Sequence, residues 1–170
     1  AIIDGGVVGD AGVALQVGDK PSVSFTVKRN DGTSIPIGEL DYGRIWISGP
    51  TSNYQRVIAS ASDLRTAATQ DDAGVYTYRF ATAIPATYLA PYNDGPLIDA
   101  GELTGTPIQA GTYTAVVISY KNYTYDGVLE RDASVTIPTV FRDVSNATQE
   151  FRMISAGALE KRDVVRTANC

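Results

Sequence analysis

Apolar and polar residues alternate with a period of two in several short stretches of the chain. In the segment SVSFTVKR, the apolar residues Val23, Phe25 and Val27 are separated by polar ones. The segment RIWISGP places Ile45 and Ile47 in the same way. Because successive side chains of a strand point to opposite faces, each segment predicts a strand with one face in a core and one in water.

Turn-forming residues separate these stretches. The tripeptide Asn30-Asp31-Gly32 follows the first predicted strand and tolerates the positive φ angles of tight connections. Gly49-Pro50 is expected to end the second strand, and a third is predicted from Tyr54 to Ile58. The segment from residue 59 to residue 70 is too short and polar for more than a turn or two of helix, so it is predicted to be a connector.

Two later segments carry the strongest strand patterns. GVYTYRF places Tyr76, Tyr78 and Phe80 on one face, which is an aromatic stripe at strand period. GTYTAVVISYKNYTY, which begins at Gly111, is apolar or aromatic on both faces. A strand that is buried on both faces belongs in the middle of a sheet, so this one is predicted to be central.

Other regions give weaker patterns. Residues 81–111 contain four prolines and several glycines, and they are predicted to form a long surface loop. A turn at Asp126-Gly127 is expected to lead into a strand through Val135 and Ile137. A last strand is predicted near Glu150 to Ile154.

An Ala-Gly-x-Tyr-Thr sequence occurs twice, at residues 72–78 and 109–115. It is similar to the corner of immunoglobulin-like sandwiches, where a tyrosine near a strand start bonds back to the backbone. The other interpretation is ordinary strand propensity of tyrosine after a turn glycine. Both agree with the number and spacing of strands, which predict an all-β fold, either an immunoglobulin-like sandwich or a split Greek-key barrel. We expect one β domain over residues 1–165 and an exit segment over residues 166–170.

Charge and cysteine content narrow the classes of partner. The 170-residue chain has a formal net charge of −5, and its basic residues are scattered. Such a surface repels polyphosphate, so no nucleic-acid partner is expected. No stretch approaches the roughly 20 consecutive apolar residues of a spanning helix, so no membrane span is expected. The one cysteine, Cys170, excludes an internal disulfide.

Residues that carry chemistry are scarce in the chain. It contains no histidine, the side chain that most often serves as general base or metal ligand. No glycine-rich phosphate-binding pattern occurs. Asp71 and Asp72 are adjacent, and neighbouring side chains on an extended chain point apart, so they are interpreted as a solvated turn. The chain is therefore predicted not to be an enzyme, with no catalytic residue.

The carboxylates and amides of the predicted loops are the remaining candidates for a metal site. Their oxygens suit calcium, but none follows the spacing of an EF-hand, so they are interpreted as solvated loop residues and no metal site is predicted. These residues are Asp31, Asp71, Asp72, Asn93, Asp94 and Asp99.

Tyrosines are the candidates for a binding surface. Tyr88 and Tyr92 lie in the proline-rich loop and are predicted to form an exposed contact with a partner. Tyr120, Tyr123 and Tyr125 are interpreted as ordinary strand packing. The sequons at Asn122 and Asn146 are short patterns that arise often by chance.

Five segments, in this order, resemble the β domain that precedes the first haem motif in outer-surface multihaem c-type cytochromes of the OmcA/MtrC family: KPSVSFTVKRNDGTSIPI, RIWISGPTSNYQRV, GVYTYRFATAIPA, GTYTAVVISYK and RDVVRTANC. The resemblance extends from about Lys20 to Cys170. Its most specific pieces are Gly49-Pro50-Thr51 with Tyr54, and Tyr76-Thr77-Tyr78 with Phe80 through Ile84-Pro85.

The resemblance implies an exported protein at the cell surface, in which this β domain scaffolds or docks haem domains for electron transfer. Cys170 would then supply the first thioether of a C-x-x-C-H motif if the natural chain continues, and haem c would be bound beyond it. The implied partners are a haem domain of the same polypeptide or neighbouring cytochrome subunits. The chain departs from the family in having no complete haem motif and no histidine, and Met153 alone does not replace bis-histidine ligation.

A cell-surface adhesion or assembly module is the alternative function. Such a module would bind a protein or a glycan through exposed loops and would carry no haem. Tyr88 and Tyr92 would be its contact residues.

Overall fold

The computed structural model describes the backbone of residues 7–8 and all of residues 14–89, 103–124 and 140–160. The strands are β1 (Val7–Val8), β2 (Ser22–Phe25), β3 (Tyr42–Gly49), β4 (Gln55–Ala59), β5 (Thr69–Gln70), β6 (Tyr76–Arg79), β7 (Gly111–Thr124) and β8 (Val140–Met153). A 3-10 helix (Ile37–Glu39) precedes β3, and a single helical turn, α1 (Leu64–Ala67), precedes β5. Among the described residues, no helix is long and apolar enough to cross a bilayer.

The strands form two antiparallel four-stranded sheets. One sheet has the order β1-β2-β6-β5, and the other has the order β4-β3-β7-β8. This is the strand distribution of an immunoglobulin-type sandwich, with strands A, B, E and D facing strands C′, C, F and G. The all-β prediction is confirmed, and the sandwich is the correct one of the two architectures proposed.

The core lies between the sheets and is filled by alternate residues of each strand. Val23 and Phe25 of β2 and Ile45 and Ile47 of β3 are fully buried, as their period-two pattern predicts. The predicted aromatic stripe of β6 is buried as well. Since a strand has a period of two, the residues between these positions face outward.

We call the β4-β3-β7-β8 sheet the larger sheet because its strands are longer. Strand β7 is a central strand of this sheet, as predicted. It pairs with β3 from Tyr42↔Tyr120 to Ser48↔Thr114, and it pairs with β8 along its whole length. The sequence predicted a strand only near Glu150 to Ile154, whereas β8 begins ten residues earlier, at Val140. The early part of β8 is exposed, and its apolar residues Val140, Phe141 and Val144 fall on both faces, so no period-two pattern marks a strand there.

The prediction of a surface loop over residues 81–111 is wrong for the described parts of that segment. Ile84, Tyr88 and Ile108 are buried in the core, and Thr87 bridges Pro107. The Ile84 carbonyl accepts a hydrogen bond from the Gly18 N–H. The prolines prevent a regular strand, but the apolar side chains beside them still fill the space between the sheets.

Turn chemistry agrees with the sequence analysis. Gly32 has a φ of 87°, and its N–H donates to the Arg29 carbonyl, closing the turn after β2. Asp63 caps α1 by accepting from the Arg65 N–H at 3.0 Å. Burial raises the pKa of the Asp63 carboxyl, but the hydrogen bonds and charge of Arg65 outweigh it and hold the pKa below its ordinary value.

Several predictions concern residues outside the described part of the chain. They are the turn at Asp126-Gly127, the strand through Val135 and Ile137, the loop residues Asn93, Asp94 and Asp99, the tyrosines Tyr92 and Tyr125, and the exit segment with Cys170.

Candidate functional site

Two buried tyrosines join the proline-rich segment to β7. The Tyr88 and Tyr113 hydroxyls are hydrogen-bonded to each other, and the Tyr113 hydroxyl also donates to the Gln109 carbonyl at 2.7 Å. The Gln109 N–H donates to the Tyr88 oxygen at 3.3 Å. Burial raises the pKa of Tyr113 far above its ordinary value, and the Tyr88 hydroxyl adds to the effect.

The bond from Tyr113 to a carbonyl four residues upstream is the tyrosine corner predicted from the Ala-Gly-x-Tyr-Thr pattern. The first copy of the pattern behaves differently, because the Tyr76 hydroxyl accepts a hydrogen bond from the distant Ile37 N–H at 3.0 Å. Only the copy that opens β7 therefore forms the corner.

The expectation that Tyr88 is an exposed contact residue is wrong. Its side chain is 1% exposed, and its hydroxyl is used by Tyr113 and Gln109. A tyrosine in a proline-rich segment can fill a core as well as a surface, since its ring is apolar and its hydroxyl needs one partner. Tyr88 is thus part of the core and not of the exposed surface.

The predicted strand packing of the other tyrosines holds for Tyr120, whose ring stacks on Tyr42 with centroids 5.0 Å apart. The Arg142 guanidinium lies 4.3 Å from the centre of the Tyr120 ring. Tyr123 is near the end of β7 and is exposed. On the outer face of the larger sheet, the rings of Tyr42 and Tyr120 therefore pack against each other, and Arg142 packs against Tyr120.

The chain leaves the sandwich through a set of contacts that we call the exit anchor, formed by Arg152, Thr112 and Thr51 around residues 155–160. The β7–β8 register places Arg152 opposite Thr112, so both side chains lie on the outer face. The Arg152 guanidinium donates to the Ser155 Oγ at 3.0 Å and to the Ala158 carbonyl at 3.3 Å.

An ion pair and two backbone contacts complete the exit anchor. Arg152 Nη1 lies 2.8 Å from Glu160 Oε1. The Glu160 N–H donates to the buried Thr112 hydroxyl at 2.7 Å, and the Glu160 carbonyl accepts from the Thr51 hydroxyl at 3.3 Å. A guanidinium carries five N–H donors in one rigid plane. Arg152 can therefore bind several acceptors of the same segment at once.

The position of Thr51 is set by the end of β3. The Gly49-Pro50 bond is cis, and a Cβ on Gly49 would lie 2.7 Å from Cγ of Tyr113. Only glycine fits against that ring. Strand β3 ends at this glycine, as the sequence predicted. The Thr51 N–H then donates to the Thr112 carbonyl at 2.9 Å.

A cleft of about 360 Å³ opens at one end of the sandwich, between the segment that follows β2 and the β7–β8 pair. Its charged groups are Lys28, Arg29, Lys121 and Asp143. The Lys121 ammonium donates to the Glu39 carbonyl at 2.7 Å and lies 3.8 Å from the Glu39 carboxylate. Lys121 therefore joins β7 to the 3-10 helix.

The loop carboxylates within the described residues stabilise turns. Asp31 accepts from the N–H and the hydroxyl of Thr33, which hold its pKa below the ordinary value. Asp71 accepts from the N–H groups of Ala73 and Val75. Within the described ranges, no three acidic, cysteine or histidine side chains come close enough to hold a metal ion.

No protein-family model matches the chain, and no curated protein matches it at a significant level.

Sequence reasoning missed the exit anchor. An arginine inside a strand and a threonine at a strand start are common on solvent-facing sides, and neither residue type predicts a partner there. Only the pairing of β7 with β8 brings Arg152 and Thr112 together, across 40 residues of chain.

Proposed function

We propose that the chain is the non-haem β domain of an extracellular, cell-surface multihaem c-type cytochrome, where it scaffolds or docks haem domains for electron transfer. The observation that carries the proposal is the exit anchor, together with the resemblance of five ordered segments to that family. A domain that positions a neighbour must hold the connecting chain firmly, and Arg152 and Thr112 do this for residues 155–160.

The exit anchor also limits where Cys170 can lie. Glu160 precedes Cys170 by ten residues, and a fully extended chain spans at most about 3.5 Å per residue. Cys170 therefore stays within roughly 35 Å of Glu160. A haem attached there would be tethered to the exit anchor by no more than that length of chain.

The residues of this chain do not fit iron ligation by themselves. The sequence has no histidine, and the sulfur of Met153 is buried in the core of the sandwich. Both axial ligands and the second thioether would have to come from outside this chain. The role proposed for the domain is accordingly structural, with no redox step assigned to its own residues.

The first experiment is the intact mass of the natively purified polypeptide, measured together with its visible absorption spectrum. We expect a mass well above 18.1 kDa and a Soret band. Replacing Cys170 with alanine in that polypeptide is expected to leave one haem with a single thioether, which changes the visible absorption spectrum. Met153→Leu is the matched control, and it is expected to leave the haem content unchanged because Met153 faces the core.

A native mass of 18.1 kDa with no Soret band would contradict the cytochrome proposal. The alternative, a surface adhesion or assembly module, would then be favoured. Its contact surface could not include Tyr88, which is buried.

A further inference from the structure

Strand β8 ends in a turn of unusual backbone conformation. Ile154, which follows Met153, has a φ of 69°, in the left-handed region. The other positive-φ residues in the described part of the chain are all glycines, so Ile154 is the exception there. A β-branched residue in this region is strained, because its Cβ crowds the neighbouring backbone.

The hydrogen bonds around Ile154 identify the kind of turn. The Ser155 N–H donates to the Met153 carbonyl, two residues back, at 2.8 Å. A positive φ at the middle residue of such a bond is typical of the classic γ-turn, which is rare and strained. A residue persists in a strained conformation only where the surrounding structure holds it there.

The sandwich holds one side of this turn. The Ile154 N–H donates to the Leu15 carbonyl at 2.7 Å, and the Ile154 carbonyl accepts from the Gln16 side-chain amide at 3.2 Å. The Ile154 side chain is partly buried and packs against the core. Glycine would adopt the positive φ without strain, but it could not make this packing contact. The contact of the side chain with the core therefore offsets part of the strain.

The exit anchor holds the other side of the turn. Arg152 precedes Ile154, and its guanidinium donates to the Ser155 Oγ at 3.0 Å and to the Ala158 carbonyl at 3.3 Å, beyond the turn. These bonds close over the turn, so they oppose any rotation at Ile154. When they break, Ile154 can rotate to a negative φ, and the release of strain offsets part of their loss.

We propose that Ile154 is the strained hinge of a strap, formed by residues 155–160, that docks on the sandwich and opens as one unit. Opening breaks the exit anchor and relaxes Ile154 to a negative φ, so the strain lowers the free energy of opening. The open form is a minor state, populated at about 0.1–10%. The strap is thus a switch between a fixed and a free connection after β8. Haem plays no part in the opening, so the inference stands or falls separately from the proposed function.

Hydrogen exchange of the Glu160 amide in the 170-residue chain measures the opening, because this N–H donates to the Thr112 hydroxyl when the strap is docked. We expect a protection factor between about 10 and about 1,000, which corresponds to the proposed population of the open form. The Phe80 amide, which donates to the Pro21 carbonyl in the other sheet, is the reference and should be protected more strongly. Equal protection of the two amides would overturn the proposal, since the strap would then open only when the whole chain unfolds.

Two substitutions of Ile154 isolate the strain. Ile154→Gly and Ile154→Ala both remove the packing contact, but only glycine adopts a positive φ without cost. The Glu160 amide should therefore exchange at least about threefold more slowly in Ile154→Gly than in Ile154→Ala. An Ile154→Gly variant that exchanged as fast as Ile154→Ala, or faster, would exclude a strained hinge.

Ala156→Gly is the matched control, because Ala156 is an exposed residue of the same segment and has no positive φ. Glycine loses more conformational freedom than alanine when such a position is ordered, so this variant should accelerate exchange of the Glu160 amide about two- to fivefold. Slower exchange in Ala156→Gly would contradict the proposal, because glycine would then slow exchange without any release of strain.

Arg152→Ala tests whether the turn and the strap are coupled while Ile154 itself is unchanged. The readout is the nuclear Overhauser effect between the amide and Hα protons of Ile154, which is strong at positive φ because the two protons lie close together. It should be strong in the wild-type chain and weaker in Arg152→Ala. Glu160→Gln retains the bonds to Ser155 and Ala158 and should leave it unchanged. A strong effect that persists in Arg152→Ala would show that the turn is independent of the strap, and the proposal would fail.

Discussion

At the scale of single residues, Tyr113 connects three parts of the sandwich. Its ring packs against Gly49 at the end of β3, and its hydroxyl reaches the Gln109 carbonyl and the Tyr88 hydroxyl. The hydroxyl has no access to water, so these partners replace the hydration it loses on folding. Removing one member of such a group leaves other buried polar atoms without a partner.

Tyr113→Phe should lower the free energy of unfolding by about 1–3 kcal/mol at neutral pH, because the Tyr88 hydroxyl and the Gln109 carbonyl each lose a buried hydrogen bond. Urea unfolding followed by circular dichroism measures the change. Tyr123→Phe is the control, since Tyr123 is exposed, and it should change the free energy by less than about 0.5 kcal/mol. Equal effects of the two variants would contradict the role of the tyrosine corner.

A comparison of the wild-type chain with Tyr113→Phe also tests the raised pKa of Tyr113. The folded chain holds this phenol protonated, whereas the unfolded chain releases the proton above pH 10, the ordinary pKa of tyrosine. The unfolded state then binds fewer protons, so this group lowers stability as the pH rises above 10, by up to about 1.4 kcal/mol per pH unit. The stability gap between wild type and Tyr113→Phe should therefore narrow above pH 10. A constant gap would contradict a raised pKa.

At the scale of elements, the sequence predicts strands well where one face is apolar. Val23, Phe25 and Val27 repeat with a period of two because they line the core, and the pattern is visible without a structure. The early part of β8 has no such pattern, because it is held by backbone pairing to β7 and exposes both faces. Backbone hydrogen bonds are the same for every residue type except proline, so they leave no mark in the sequence.

The buried position of Tyr88 could not be predicted for a different reason. Prolines and glycines predict the absence of regular structure, and loops are usually at the surface. Whether an irregular segment passes through the core depends on the space that the two sheets leave between them. That space is set by residues far away in the sequence, such as Tyr113.

Arg152→Ala should free the segment that the exit anchor holds. We expect the Glu160 amide to exchange its hydrogen at least about tenfold faster, because the segment loses its bonds to the guanidinium. Arg152→Lys should give partial protection, since lysine cannot hold several acceptors in one plane. Hydrogen exchange read by nuclear magnetic resonance measures both.

Glu160→Gln is the control for the ion pair alone. The Glu160 side chain is 61% exposed, so its charge is well solvated, and losing it should change the exchange rate by no more than about threefold. If Glu160→Gln accelerated exchange as much as Arg152→Ala, the anchor would depend on the ion pair and not on the hydrogen bonds to Ser155 and Ala158.

At the scale of the whole molecule, an apolar core takes the place of the inter-sheet disulfide that antibody domains have. Strands β2 and β7, which correspond to the two strands joined by that disulfide, carry Val23, Phe25, Ala115 and Val117 at inward positions. The single cysteine, Cys170, cannot form a disulfide within the chain. Contacts between the two sheets must therefore supply the stability that a covalent bond supplies elsewhere.

Ile47→Ala should lower the free energy of unfolding by about 2–5 kcal/mol, because it leaves a cavity at a fully buried position of β3. A domain of this size is stable by only about 5–15 kcal/mol, so this one change removes a large fraction of the total. A reducing agent, in contrast, should leave the urea midpoint of the wild-type monomer unchanged. Leu89→Ala, at an exposed position, is the control and should cost less than about 0.5 kcal/mol. An Ile47→Ala variant that lost no more stability than Leu89→Ala would contradict the role of packing between the two sheets.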